Sequence, residues 1–234
     1  MGVGIVRPMV TAQDLFKRQR MPMSRGRRVW RAVRWTLGVV LALYIGLVLY
    51  RIPAVGEKER TAQAVAFIHS QKVTLDDVMG KNVPHIPDPT ISSTTLAGVD
   101  ENKNGIRDDV EIWILEHHYP SARIRAAEMQ YALALQMELT QVFNSETLVA
   151  AIQEDGRAGL CISETAPALS PTSTEEEDKR AFAIADERQK EVENLVLNTN
   201  LRKEKYNEIY EKYMTSYASL SGRACDIGLQ SLPN

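Results

Sequence analysis

Residues Trp35 to Tyr50, WTLGVVLALYIGLVLY, form an uncharged run of 16 residues, closed by Arg51 and followed by the apolar Ile52-Pro53-Ala54-Val55. A helix that spans a bilayer needs about 20 mostly apolar residues. Arg51 can snorkel to the interface, and Trp35 and Tyr50 stand where interfacial aromatics belong. The run therefore predicts one transmembrane helix over 35–55. A buried core helix is the alternative, but such helices keep a polar stripe and this run has none.

Charge on either side of the run sets its direction. Residues 1–34 hold nine Lys or Arg against the single acid Asp14, a net of +8, so the rest of the chain carries −10 to give the total of −2. An excess of Lys and Arg beside a span holds that flank in the cytoplasm. The tail 1–34 is thus expected inside, in contact with anionic lipid rather than nucleic acid. The acidic remainder is expected to be exported, giving a single-pass protein of a bacterial inner membrane with a periplasmic C-terminal domain. A start at Met21 or Met23, with cleavage near Ala54-Val55-Gly56, would instead release a soluble periplasmic protein. The retained anchor is the expectation, because the run is at or beyond the upper length of a signal h-region.

At 234 residues, with 25% charged and 44% hydrophobic, the chain has room for one ordinary globular domain besides this anchor. Its two cysteines, Cys161 and Cys225, both fall in the exported part. In an oxidising compartment they are expected to pair, a link worth roughly 3 to 4 kcal/mol by chain entropy; two buried free thiols are the alternative.

Residues 56–98 read as a membrane-proximal helix and linker. Ala64, Val65, Phe67 and Ile68 recur within a short helix, Thr74 caps a second with Asp76 and Asp77 in its first turn, and Gly80 stops it. Pro84, Pro87 and Pro89 then deny both helix and central strand. From Asp108 onward the pattern is helical, and 99–234 is expected to be an all-α, bundle-like domain. Val110, Trp113, Ile114 and His117 mark one helix; Ile124, Tyr131, Leu135, Leu139 and Val142 mark a long second one starting near Ser121. Asn144 or Ser145 caps a third, expected to run out at Asp155-Gly156 into a surface loop that carries Cys161. Ser173 with Glu176 reads as a capping box for the next, which Asn198-Thr199-Asn200 interrupts. In the last helix, 201–220, Tyr206, Tyr210, Tyr213 and Tyr217 share a face. That face is either a packed stripe or a platform for an envelope protein or a glycan.

The segment Asp100-Glu101-Asn102-Lys103-Asn104-Gly105-Ile106-Arg107-Asp108-Asp109-Val110-Glu111 fits D-x-[DN]-x-[DN]-G-x5-E at every specified position. A calcium ion takes six to eight hard oxygens. Asp100, Asn102 and Asn104 would supply alternate side chains, Gly105 the sharp turn, Ile106 its carbonyl, Asp108 a direct or water-mediated ligand, and Glu111 both carboxylate oxygens. Asx-rich turns without an ion are the plainer alternative.

This loop resembles the EF-hand, and more closely the one-sided loop-then-helix version of dockerin-like repeats in bacterial extracellular proteins. The stretch of about 84 to 135 is also similar to a group of uncharacterised exported bacterial proteins. The resemblance implies bound Ca2+ and no activity. Two departures argue against a paired sensor: prolines and Gly98 stand where an entering helix belongs, and position 8, apolar in paired hands, is Arg107. With three carboxylates and two amides, the affinity expected is about 10⁻⁴ to 10⁻³ M.

No phosphate loop, nucleophile elbow or zinc spacing occurs, and no catalytic residue is assigned. The sequence thus reads as a membrane-anchored, calcium-stapled interaction or scaffold module of the envelope; the alternative is an envelope hydrolase with scattered site residues.

Overall fold

The computed structural model describes residues 25–167 and 173–233; the basic tail to residue 24, with the alternative starts, and residues 168–172 lie outside the described residues. Every regular element among the described residues is helical: α1 (Arg25–Ser70), α2 (Leu75–Val78), α3 (Pro89–Ser92), α4 (Asp108–His117), α5 (Ala122–Gln141), α6 (Ser145–Glu164), α7 (Glu175–Val196), α8 (Asn200–Tyr213) and a 3-10 turn (Leu229–Ser231). The chain divides into two compact units, 1–57 and 58–234. In the first, α1 provides one helix long and apolar enough to cross a membrane. Its side chains between 35 and 50 are exposed along their whole length.

The second unit starts earlier than the sequence implies. The segment 56–98, expected as a spacer outside the domain, contributes Ile68, Val73 and Val78 to the same buried core as α4 to α8. Local capping chemistry sets most boundaries. Thr74 and Asp77 form a capping box on α2, Ser121 accepts from the Ile124 amide at the start of α5, and Asn144 caps α6. The box that opens α7 is Thr174 with Glu177, one residue beyond the expected Ser173 and Glu176. Thr199 caps α8 after the break at Leu197.

At the centre lies α5, packed by α2, α4, α6, α7 and α8. Residues 125 to 139 of this helix are buried on every side, rather than along the single face its aliphatic spacing suggests. A helix covered all round must satisfy its polar side chains internally. Here each one holds a different neighbour. Arg125 Nε donates to Val78 O (2.9 Å), tying down α2. Glu128 accepts from Arg188 Nε on α7 (2.7 Å) and lies 3.1 Å from His118 Nε2. Gln130 donates to Ala224 O and accepts from the Asp226 amide, pinning the C-terminal segment, and Gln136 donates to Ala97 O (3.1 Å). Glu138 accepts from Tyr210 Oη of α8 (3.0 and 3.1 Å).

Two boundaries depart from expectation. Asp155-Gly156 does not end α6, which continues to Glu164 and carries Cys161 in its buried last turns rather than on a loop. Gly156 costs about 1 kcal/mol of helix propensity; burial of Ala158, Cys161 and Ile162 offsets it. Arg157 also bridges Glu154 and Asp226, at 2.6 Å each. Glu154 further holds His69 and Lys72, both at 2.8 Å, so the end of α1, α6 and the C-terminal segment meet in one ion network. The last helix, in turn, stops at Tyr213 and not near Leu220. Beyond it the chain returns across α6, where Gln153 takes Ala218 O, and Cys225 bonds to Cys161 with Cα atoms 4.9 Å apart. Closing a loop of 64 residues is worth roughly 4 kcal/mol by chain entropy.

One acidic junction has no ion pair among the described residues. Glu138 on α5, Asp155 on α6 and Glu193 on α7 repel one another beneath Tyr206 and Tyr210. Asp155 Oδ1 is buried with no hydrogen-bond partner among the described residues, although the residue as a whole is partly exposed. Burial, with Glu193 adding to it, pushes Asp155 up to about 7, and burial holds Glu138 well above the carboxylate range. A carboxyl whose folded pKa is raised contributes stability below its unfolded value, near 4, and loses that contribution as pH rises through the folded value. A tenfold difference in proton affinity between the folded and unfolded chain is worth about 1.4 kcal/mol, or roughly 3 to 5 °C in Tm for a domain of this size. The second unit is therefore expected to melt at least about 4 °C higher at pH 5.5 than at pH 8, and Asp155→Asn to flatten that slope. Calorimetry of parent and variant across this range measures both.

Candidate metal centre

Within the segment 100–107, two residues take left-handed backbone and tighten the turn: Lys103 (φ +58°) and Gly105 (φ +86°). At Gly105 there is also no room for a side chain, since a Cβ would come within 2.7 Å of Leu133 Cδ1. The turn folds the Asx side chains inward. Asp100 accepts from the amides of Asn104 (3.2 Å) and Gly105 (3.0 Å), Asn102 from Asn104 N (3.2 Å), and Asn104 from Ile106 N (2.9 Å). Asp108, buried at the start of α4, accepts from Glu101 N (3.0 Å). Ile106 is buried, and its carbonyl takes no donor among the described residues.

Glu111 sits in the first turn of α4 with 1% of its surface exposed. Asn102 Nδ2 donates to its Oε2 (2.9 Å). The Asn104 amide lies beside the same carboxylate, its Nδ2 buried and outside bonding geometry. No basic side chain pairs with Glu111 among the described residues. Burial pushes its carboxyl up to about 7, against the pull of the two amides, and burial likewise raises Asp108.

The structure thus brings Asn102, Asn104 and Glu111 to one point, with Asp100, Ile106 and Asp108 on the loop around it. It does not bring the three acids together: no group of three or more His, Cys, Asp or Glu placed to share a metal occurs among the described residues. Asp100 and Asp108 accept from backbone amides of the loop.

Arg107, at position 8, is the residue whose role the loop pattern hides. Only 1% of it is exposed. Its guanidinium forks onto Asp109 and donates to Leu195 O (2.7 Å) and Val196 O (3.0 Å), the last carbonyls of α7. Those carbonyls are orphaned by the helix end and carry its negative dipole. Arg202, with none of its surface exposed, stands beside it and donates to Ser92 O, Thr95 O, Leu96 O and Asn198 Oδ1. Burial, with Arg107 adjacent, lowers its pKa to about 10. Gly98 lets the chain pass between them: a Cβ there would overlap Arg107 Cδ and lie 3.1 Å from Arg202 Nη2.

Compared with protein families, curated proteins and solved structures, the chain matches none.

The four histidines stand apart. His69 is on Glu154, His85 on Glu101, His117 stacks on Trp113 at 3.9 Å, and His118 faces Glu128. Tyr206, Tyr210 and Tyr213 are half-buried against the core, with the rings of Tyr206 and Tyr210 4.6 Å apart, while Tyr217 lies past the end of α8. The four tyrosines do not form one continuous surface.

Replacing Arg107 by Leu, the kind of residue that paired hands carry at position 8, leaves two buried carbonyls and Asp109 without donors. Losing one partner of a buried polar cluster costs about 3 kcal/mol or more, and urea denaturation is expected to show that loss. Arg107→Lys is expected to recover less than half of it, because one ammonium cannot span the fork.

Proposed function

We propose that the chain is a membrane-anchored, non-enzymatic interaction or scaffold module of the bacterial cell envelope, whose loop 100–111 holds one structural Ca2+. Under this reading α1 is the single span, the basic tail is cytoplasmic, and residues from about 58 fold on the periplasmic side. The positive charge before the span and the acidic balance after it support that direction.

The observation that carries the calcium reading is Glu111: a buried carboxylate, with no cationic partner among the described residues, in a loop whose spacing supplies oxygens around it. Burying an unpaired carboxylate is costly, and a divalent cation removes the cost. Asp100, Asn102, Asn104, the Ile106 carbonyl, Asp108 and Glu111 would hold it. Because the Asn102 amide meets Glu111 with its NH2 group, holding a cation there requires that amide to turn and present oxygen. The ion's effect is structural: it fixes the start of α4 and, through Arg107, the end of α7. A single loop, tethered by Arg107 to a helix end rather than to a second loop, fits a staple and not a switch.

The test is thermal unfolding of a fragment beginning at Lys58, where the second unit starts, which keeps Ile68 in the core. Calcium at about 100 times its dissociation constant contributes about 2.7 kcal/mol, or roughly 5 to 10 °C in Tm. Asp100→Ala and Glu111→Gln are expected to abolish the shift. An unchanged Tm in the parent fragment, with calcium against chelator, overturns the calcium reading.

A further inference from the structure

Arg125 is 7% exposed and has no carboxylate partner among the described residues. Three backbone carbonyls solvate part of it. Nε donates to Val78 O at the end of α2, and Nη1 donates to His118 O (3.1 Å) and Tyr119 O beyond the end of α4. Nη2, with two N–H donors, has no partner among the described residues. The two N–H donors of Nη2 are open to solvent, where an anion can meet a guanidinium that is otherwise held by carbonyls alone.

The same side chain forms part of the wall of a cavity of about 490 Å3. The rest of the wall is mainly apolar: Met79, Val83, Ile112, Leu115 and Tyr119 line it, with the exposed Glu116 also contributing. Met79 is 43% exposed, Val83 51% and Tyr119 81%, so the apolar surface is open to solvent from one side. The volume lies within the range of small-molecule sites. At about 30 Å3 per non-hydrogen atom it accommodates roughly fifteen such atoms.

We propose that this groove binds a monoacyl carboxylate, a free fatty acid of medium chain length, with its carboxylate on Arg125 Nη2 and its chain along Met79, Val83, Leu115 and Tyr119. The chemistry selects this ligand in two ways. A carboxylate accepts charge-assisted hydrogen bonds from a guanidinium and supplies the missing counter-charge. An unbranched acyl chain covers apolar surface without presenting polar atoms to it. A dianionic phosphate ester would put a second charge against apolar walls, and a neutral alcohol would leave the guanidinium unpaired.

The experiment uses the full chain in lipid nanodiscs, with empty nanodiscs as the blank for partitioning. Octanoate labelled with 13C at its carboxyl is titrated and followed by NMR, and 13C-labelled octanol is the neutral control. Octanoate is expected to bind at least about tenfold tighter than octanol, and Leu115→Trp, which adds bulk to the groove wall and keeps the Arg125 side chain, to weaken it at least about tenfold. Arg125→Gln is expected to erase the preference for octanoate; if that variant loosens the ends of α2 and α4, Leu115→Trp still decides. Equal binding of acid and alcohol, no binding beyond the blank, or octanoate binding unchanged in Leu115→Trp overturns the proposal.

Discussion

The constraint on which the domain depends is the complete burial of α5. Once Ala122–Gln141 is covered on every side, Arg125, Glu128, Gln130, Gln136 and Glu138 cannot reach water and must find partners inside. Apolar packing would accept many arrangements of the surrounding helices. Polar satisfaction accepts few, because each donor or acceptor specifies a distance and an angle. The placement of α2, the 96–97 loop, α7, α8 and the C-terminal segment follows from five side chains on one helix.

Much of this was legible in the sequence, and what was not has physical reasons. Helix starts marked by Thr74, Ser121 and Asn144 are local chemistry, an oxygen meeting an amide two or three residues on, and such signals survive without tertiary context. The apolar span and the pairing of the cysteines were equally local or arithmetical. The surround of α5 was hidden because periodicity assumes one wet face, and this helix has none. The continuation of α6 through Gly156 was hidden because its support comes from Asp226, about 70 positions away. The loop positions from Asp100 to Glu111 could be read residue by residue. The part played by Arg107 could not, since it depends on where α7 ends.

The loop and the two arginines behind it show two ways of handling charge in the interior. Arg107 and Arg202 are neutralised mainly by carbonyl dipoles and one carboxylate, with an Asn amide helping Arg202. Glu111 has one amide donor, from Asn102, and burial raises its carboxyl to about 7. Arg107 caps the turn that holds Glu111, and the Glu111 amide donates to its carbonyl (3.0 Å), so a change in how that carboxylate is compensated bears on the end of α7 through one helical turn.

The C-terminal segment has a consequence for how the domain forms. Cys225, Asp226, Leu229 and Leu232 are among the last residues of the chain, yet they complete contacts with Cys161, Val73, Gln130 and the core, and Pro233 O receives the Ala122 amide at the start of α5. A ribosome delivers the chain in the opposite order, α1 first. Until this segment emerges, Gln130 lacks its partner and Val73 N its acceptor, so the domain closes as a whole only after its C-terminal residues are made.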